Sequence, residues 1–326
     1  ALLPRMILSF LAAAMVALGA IEIFSPAATS AVGALFLLGS LAFSLPTSLS
    51  NTLCAYYSEN SYRIDYGMGS GFGSLSFSFA SLGLGYIVSA FGAGAMMLLM
   101  LLLIAFEMVL VLRYPRIEQT AAPGAAQVRM RPASRLSIPG FCRRYRFYML
   151  TMLGVTCLAA THTMAENYLI NLFERIGGGS ENVGTALFLA CTTAAPFLLL
   201  FERIQKKTGV AILMRLSGVF FVLKALLLIG AASIGAIYMI ELLQTFTYCF
   251  LYPSLYYFAR SRVNAADMAK GQALATALYT LGAAAGNSLG GIVIDALGLN
   301  AMLVLAAAIA AAGTVIINLF VSRKDA

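Results

Sequence analysis

Stretches of about twenty apolar residues, each long enough to cross a bilayer as a helix, follow one another along almost the whole chain. They cover approximately 5–24, 31–57, 69–90, 94–113, 146–172, 182–203, 210–231, 234–258, 269–294 and 299–321. Lipid cannot satisfy open backbone groups, and the two-residue alternation of a β-barrel is absent, so these runs read as about ten transmembrane helices. Only 10% of the 326 residues are charged and 61% are hydrophobic. A soluble domain carries roughly a quarter charged residues, so this chain cannot clothe a water-facing surface. An all-α membrane protein is expected.

The net charge of +8 does not signal nucleic-acid binding, because the cations are grouped by connection. Arg113, Arg116, Arg129, Arg131, Arg135, Arg143, Arg144 and Arg146 crowd one stretch between apolar runs. Arg5, Arg63, that stretch, Arg203 with Lys206 and Lys207, Arg260 with Arg262 and Lys270, and Arg323 with Lys324 fall at alternate connections. The connections near 25–30, 91–94, 231–235 and 295–299 have no Lys or Arg. Basic residues stay on the cytoplasmic side, which predicts a multi-pass inner or plasma membrane protein with both termini cytoplasmic. Only Arg175 breaks the pattern. Arg5 leads straight into an apolar run without a signal-peptide n-region or cleavage site. The cysteines (Cys54, Cys142, Cys157, Cys191, Cys249) are scattered singly, without zinc or disulfide spacing, and read as packing residues. Neither a cofactor nor a metal is expected.

The polar stretch 114–144 divides the runs into four and six. Transporters are commonly built from two repeated helical bundles joined by such a loop. The expected units are a partial N-terminal bundle, 1–113, a cytoplasmic loop, 114–144, and a six-helix bundle, 145–326. On this reading two helices of an expected twelve are missing from the front.

Three stretches carry a family resemblance. Asp65-Tyr-Gly-Met-Gly-Ser-Gly-Phe-Gly-Ser74 resembles the entry to the fifth helix of lactose-permease-like major facilitator transporters. Phe201-Glu-Arg-Ile-Gln-Lys-Lys-Thr-Gly209 is similar to their basic turn between helices eight and nine. Lys270-Gly-Gln-Ala-Leu274, followed by Gly282, Gly286 and Gly290-Gly291-Ile-Val-Ile-Asp295, is similar to their eleventh helix. The resemblance implies a major facilitator fold, with 1–113 as family helices three to six and 145–326 as seven to twelve. It also marks departures. The Arg and Glu that hold sugar on the permease's fifth and fourth helices are matched by Ser70 and Thr52. The His and Glu of its tenth helix fall at Gln244 and Thr247, and the Arg of its ninth at Lys224. The chain has no Trp, so the indole that stacks the permease's sugar is absent too.

An ionisable group at bilayer depth costs at least ~2.5 kcal/mol and is a functional candidate, unless it snorkels to water from a helix end. Lys224 lies seven residues before the turn near 231, and Glu241 lies at similar depth in the next, antiparallel run. At 1.5 Å per residue both sit about 10 Å below the outer end, so a pair is geometrically allowed. His162 and Glu166 are one turn apart and share a face, which suits proton exchange or a His hydrogen-bonded within the bundle. Glu22, Glu107, Arg215 and Asp295 lie nearer helix ends and read as structural.

Gly67, Gly69, Gly71 and Gly73, and Gly282, Gly286 and Gly290, read as close helix-packing positions. The first run fits no phosphate-loop pattern. Pro46, Pro196 and Pro253 are expected kinks. Tyr56, Tyr57, Tyr248, Tyr252, Tyr256 and Tyr257 suit either a cavity wall or aromatic packing.

The sequence therefore predicts a secondary active transporter for a small solute, working by alternating access and coupled to protons. The candidate pathway residues are His162, Glu166, Lys224, Glu241, Gln244, Thr247, Asn51, Thr52 and Ser70. Symport of a polar metabolite and efflux of an amphipathic compound are both open, as is a non-transporting receptor or scaffold with this fold. An enzyme is not expected, because no nucleophile–base set or metal set shares one depth. The partners expected are the solute, protons and the bilayer, with no nucleic acid and a monomeric chain. With two helices missing, the Gly282/Gly286/Gly290 face should be exposed, and the chain should not transport alone.

Overall fold

The computed structural model describes residues 2–24, 35, 38, 39, 42, 66–113, 136–264 and 266–323. The predicted run 31–57, with Asn51, Thr52, Pro46, Tyr56 and Tyr57, lies essentially outside the described residues. So do the side chains of Glu22 and Ser70 and the surroundings of Gly67 and Gly71.

Among the described residues all regular structure is helical. The helices are α1 (Leu2–Phe24), α2 (Tyr66–Phe91), α3 (Ala93–Leu112), α4 (Ile138–Arg144), α5 (Arg146–Asn167), α6 (Leu169–Glu174) and α7 (Ser180–Thr208). They continue as α8 (Val210–Ile229), α9 (Ile234–Glu241), α10 (Tyr248–Arg262), α11 (Met268–Leu297) and α12 (Leu299–Phe320). The other nine predicted runs coincide with these helices, although two are broken. The run 146–172 is interrupted at Tyr168, between α5 and α6, and the run 234–258 between α9 and α10. Pro196 and Pro253 lie inside α7 and α10, and the second interruption falls a full turn ahead of Pro253.

The chain groups into two units. One holds α1, α3 and the ends of α2, where Ile7, Leu11 and Leu18 of α1 pack with Ile104 and Val111 of α3. The other holds residues 71–86 of α2 and everything from α4 onward. Within that second unit, the middle of α2 lies on α7. Ser78 Oγ is 2.8 Å from Thr192 Oγ1, and Gly85 and Gly184 meet backbone to backbone.

Helix α5 is the spine of the second unit, with α11 on one side and α12 on the other. Both contacts use missing side chains. A methyl group added at Gly282 or Gly286 would overlap the carbonyl of Thr156 or Ala160, and one at Gly290 would overlap the Tyr168 ring. Gly154 of α5 and Gly313 of α12 likewise leave no room for each other's Cβ. Hydroxyls then bond neighbouring carbonyls across the seams: Thr156 to Leu278, Thr163 to Ala283 and Thr161 to Ala306. The expectation of an exposed glycine face is thus corrected. Gly282, Gly286 and Gly290 are buried against α5, and the exposed side of α11 carries Leu281 and Ile292 instead.

The ends of the bundle are tied by polar contacts. At one end, Tyr145 donates to Asp267 at 2.8 Å and Tyr148 to the Gly271 carbonyl, while Ser137 caps α4. Burial, and then the Asp267 carboxylate, raise the Tyr145 phenol above its ordinary pKa. At the opposite end, Arg175 donates to Asn300 at 2.7 Å and to the Ala231 carbonyl at 3.0 Å. Those residues lie just after α6, just after α8 and at the start of α12, so the one cation that broke the charge pattern fastens three points of the chain together.

Replacing Gly286 by Val should destabilise the protein by about 1–3 kcal/mol through overpacking, seen as a lower unfolding midpoint in detergent. Leu281→Ala, on the exposed face of the same helix, should leave the midpoint within experimental error. Equal loss from both would refute the assignment of the buried face.

Candidate functional site

Two apolar layers fill the second unit. One contains Tyr148, Met152, Leu158, Phe221, Leu251 and Ile317; the other contains Met164, Leu169, Leu228, Ile237, Ile240 and Met302. On α5, α8 and the α9–α10 segment, a few polar residues lie between or beside these layers. They bring together Glu166, Lys224, Glu241 and Gln244.

The interruption of the predicted run 234–258 makes this junction. After Glu241 the chain tightens into a 3₁₀ turn, Leu242–Thr245, and restarts as α10 at Tyr248. With three residues per turn, positions three apart eclipse one another, so Glu241 and Gln244 present side chains on one face. Thr247 leaves the helical region at φ −88°, ψ −87°. Its hydroxyl donates to the Gln244 carbonyl at 3.3 Å, and its own carbonyl accepts from Ser217 of α8 at 2.8 Å. Thr247 therefore holds the break and is not a member of the charged cluster.

Lys224 is 3% exposed, and its ammonium has three donors. They go to Glu166 Oε1 at 2.8 Å, Glu241 Oε2 at 2.8 Å and Gln244 Oε1 at 3.1 Å. Glu241 is fully buried and Glu166 is 13% exposed. The Lys224–Glu241 pair anticipated from depth is present, and Glu166 joins it. With both carboxylates ionised, the cluster carries one more negative charge than positive. Glu241 Oε1 is buried with no hydrogen-bond partner among the described residues.

His162 stands beside the cluster. Its ring stacks on Tyr248 at 5.0 Å between centroids and meets Phe221 edge-on at 6.1 Å. Tyr248 stacks in turn on Tyr252 at 5.2 Å, and Tyr279 of α11 meets Tyr252 edge-on at 5.3 Å. This wall of rings spans α5, α10 and α11. Tyr279 was not among the residues singled out from sequence, because nothing in its own neighbourhood marks it.

Among the described residues the remaining charges do not join the cluster. Arg215 reaches Ser322 at 2.8 Å, Asp295 is exposed and Glu107 is half-buried on α3. Among the described residues no group of three His, Cys, Asp or Glu side chains is arranged to hold a metal.

A family model for the MFS_1-like family matches residues 4–304. The chain belongs to that family. Its structure is similar to the crystal structure of the E. coli fucose:proton symporter FucP, with a TM-score of 0.51 and 15% identity. That match covers 98% of this chain and 83% of the symporter. No curated protein matches by sequence. This MFS_1-like protein is thus a multi-pass membrane transporter with the major facilitator fold, not an enzyme.

Removing Lys224 alone strands two buried carboxylates. Lys224→Met should cost about 3–5 kcal/mol of stability, read as loss of folded protein on size-exclusion chromatography. Adding Glu166→Gln and Glu241→Gln should recover a large part of it. Independent, additive losses would mean that the three side chains do not act as one group.

Proposed function

We propose that this MFS_1-like protein couples transport of its solute to protons, and that the proton is carried by the Glu166–Lys224–Glu241 cluster. The observation that carries the reading is the unpartnered, buried oxygen of Glu241 in a cluster holding one surplus carboxylate. A buried charge without a partner is expensive, and a proton removes it. Ionised, both carboxylates grip Lys224 and pull α5, α8 and α9 together. Protonated, Glu241 loses most of its attraction for the ammonium, and that grip loosens. The proton's presence thereby becomes a difference in packing between helices, which is what an alternating-access carrier needs from its coupling ion.

His162 has the lesser part in this reading. Its ring is engaged with Tyr248 and Phe221, and it makes no hydrogen bond to the carboxylates. The orientation we infer puts the basic connections in the cytoplasm and Arg175 outside.

Infrared difference spectra of the purified protein between neutral and acid pH test the assignment without knowledge of the solute. A carboxylic-acid C=O band should grow on acidification, disappear in Glu241→Gln and persist in His162→Phe. A wild-type spectrum without that band, or one unaltered in Glu166→Gln and Glu241→Gln alike, would dismiss the carboxylates as the proton carriers.

A further inference from the structure

The proton accounts for the surplus charge but not for the ring wall beside it. Glu166 is the partly exposed carboxylate of the cluster, and one of its oxygens is occupied by Lys224. On α5 it lies one turn from His162, whose ring stacks on Tyr248. The His162–Tyr248–Tyr252–Tyr279 series therefore starts one helical turn from the partly exposed carboxylate. Tyr252, on this wall, is 44% exposed. No positive charge other than Lys224 joins the cluster among the described residues, and all three of its donors are taken.

A carboxylate with a surplus charge, bordered by open phenol rings, recognises a cation of moderate size. The carboxylate supplies charge, and the ring faces supply the quadrupole that attracts an ammonium group. An anionic solute would meet an acidic cluster whose one cation is already engaged. We propose that the solute is an organic cation, a protonated amine or quaternary ammonium, whose charged group sits at Glu166 with its body against Tyr252 and Tyr248. The proposal rests on the cluster being the transport site, and it names the ligand class that cluster takes. It also makes the solute and the proton compete, since the cluster has one surplus charge to satisfy.

The purified full chain should be titrated with choline, with phenyltrimethylammonium and with 3,3-dimethylbutan-1-ol, the neutral isostere of choline, at mildly alkaline and mildly acid pH. Both quaternary ions have a fixed charge, so any pH dependence belongs to the protein. We expect each ion to bind at least about 10-fold more tightly than the isostere, and more tightly at alkaline than at acid pH. Tyr252→Ala should weaken the ions about 3- to 10-fold while Tyr252→Phe keeps them; this exposed position should tolerate both changes. Glu166→Gln should remove the preference for charge. Equal binding of choline and its isostere, or no binding of either ion to folded wild-type protein, overturns the cation assignment. The infrared band would then still stand or fall by itself. Conversely, cation selectivity without any pH dependence would refute competition for the surplus charge and leave the ligand class intact.

Discussion

The second unit is organised around one deeply buried ammonium group. Lys224 sits between two apolar layers, and an ammonium there must place all three N–H donors on protein acceptors or lose several kcal/mol. Three acceptors are brought to it by separate segments. Glu166 comes from α5, while Glu241 and Gln244 come from a turn tight enough to set them on one face. The interruption at Thr247 follows from the same demand. A continuous α-helix turns about 100° per residue, which would swing Gln244 away from Glu241 by about 60°. The chain winds more tightly there; the Thr247 hydroxyl takes up the Gln244 carbonyl, and Ser217 adds a second bond to the Thr247 carbonyl, which already accepts from the Leu251 N–H.

The glycine seams serve that junction. Because α11 and α12 approach α5 backbone to backbone, small relative movements of these helices meet carbonyls and ring edges rather than flexible side chains. The helix that carries His162 and Glu166 is therefore held as a rigid rod. In the proposed coupling, a charge change in the cluster would be felt as a change of fit between rods.

Much of the fold was legible because bilayer thickness imposes a fixed length on apolar runs. The depth of Lys224 and Glu241 was legible for the same reason: counting residues from a turn gives height. Their facing was not, since height carries no information about rotation around the helix axis. Glu166 was placed on the right face relative to His162 but not linked to Lys224, because nothing in the sequence relates α5 to α8. The 3₁₀ turn went unseen. Pro253 advertises a kink, whereas the break occurs earlier, at residues with no strong local signal. The glycine face of α11 was recognised as a packing surface but given the wrong neighbour. Spacing reveals that a helix can be approached closely, not by which partner.

Arg175 links three points of the chain on the side that otherwise avoids basic residues. Its partners are made in sequence. Ala231 follows it by two helices, and Asn300 stands at the start of α12, the last helix. Arg175 therefore makes the second of these contacts only when the final span is in place. Its bidentate clasp closes only around a completed bundle. The same residue that runs against the charge rule thus acts as a seal on assembly: a chain halted before α12 leaves it holding one carbonyl, and that end of the bundle unfastened.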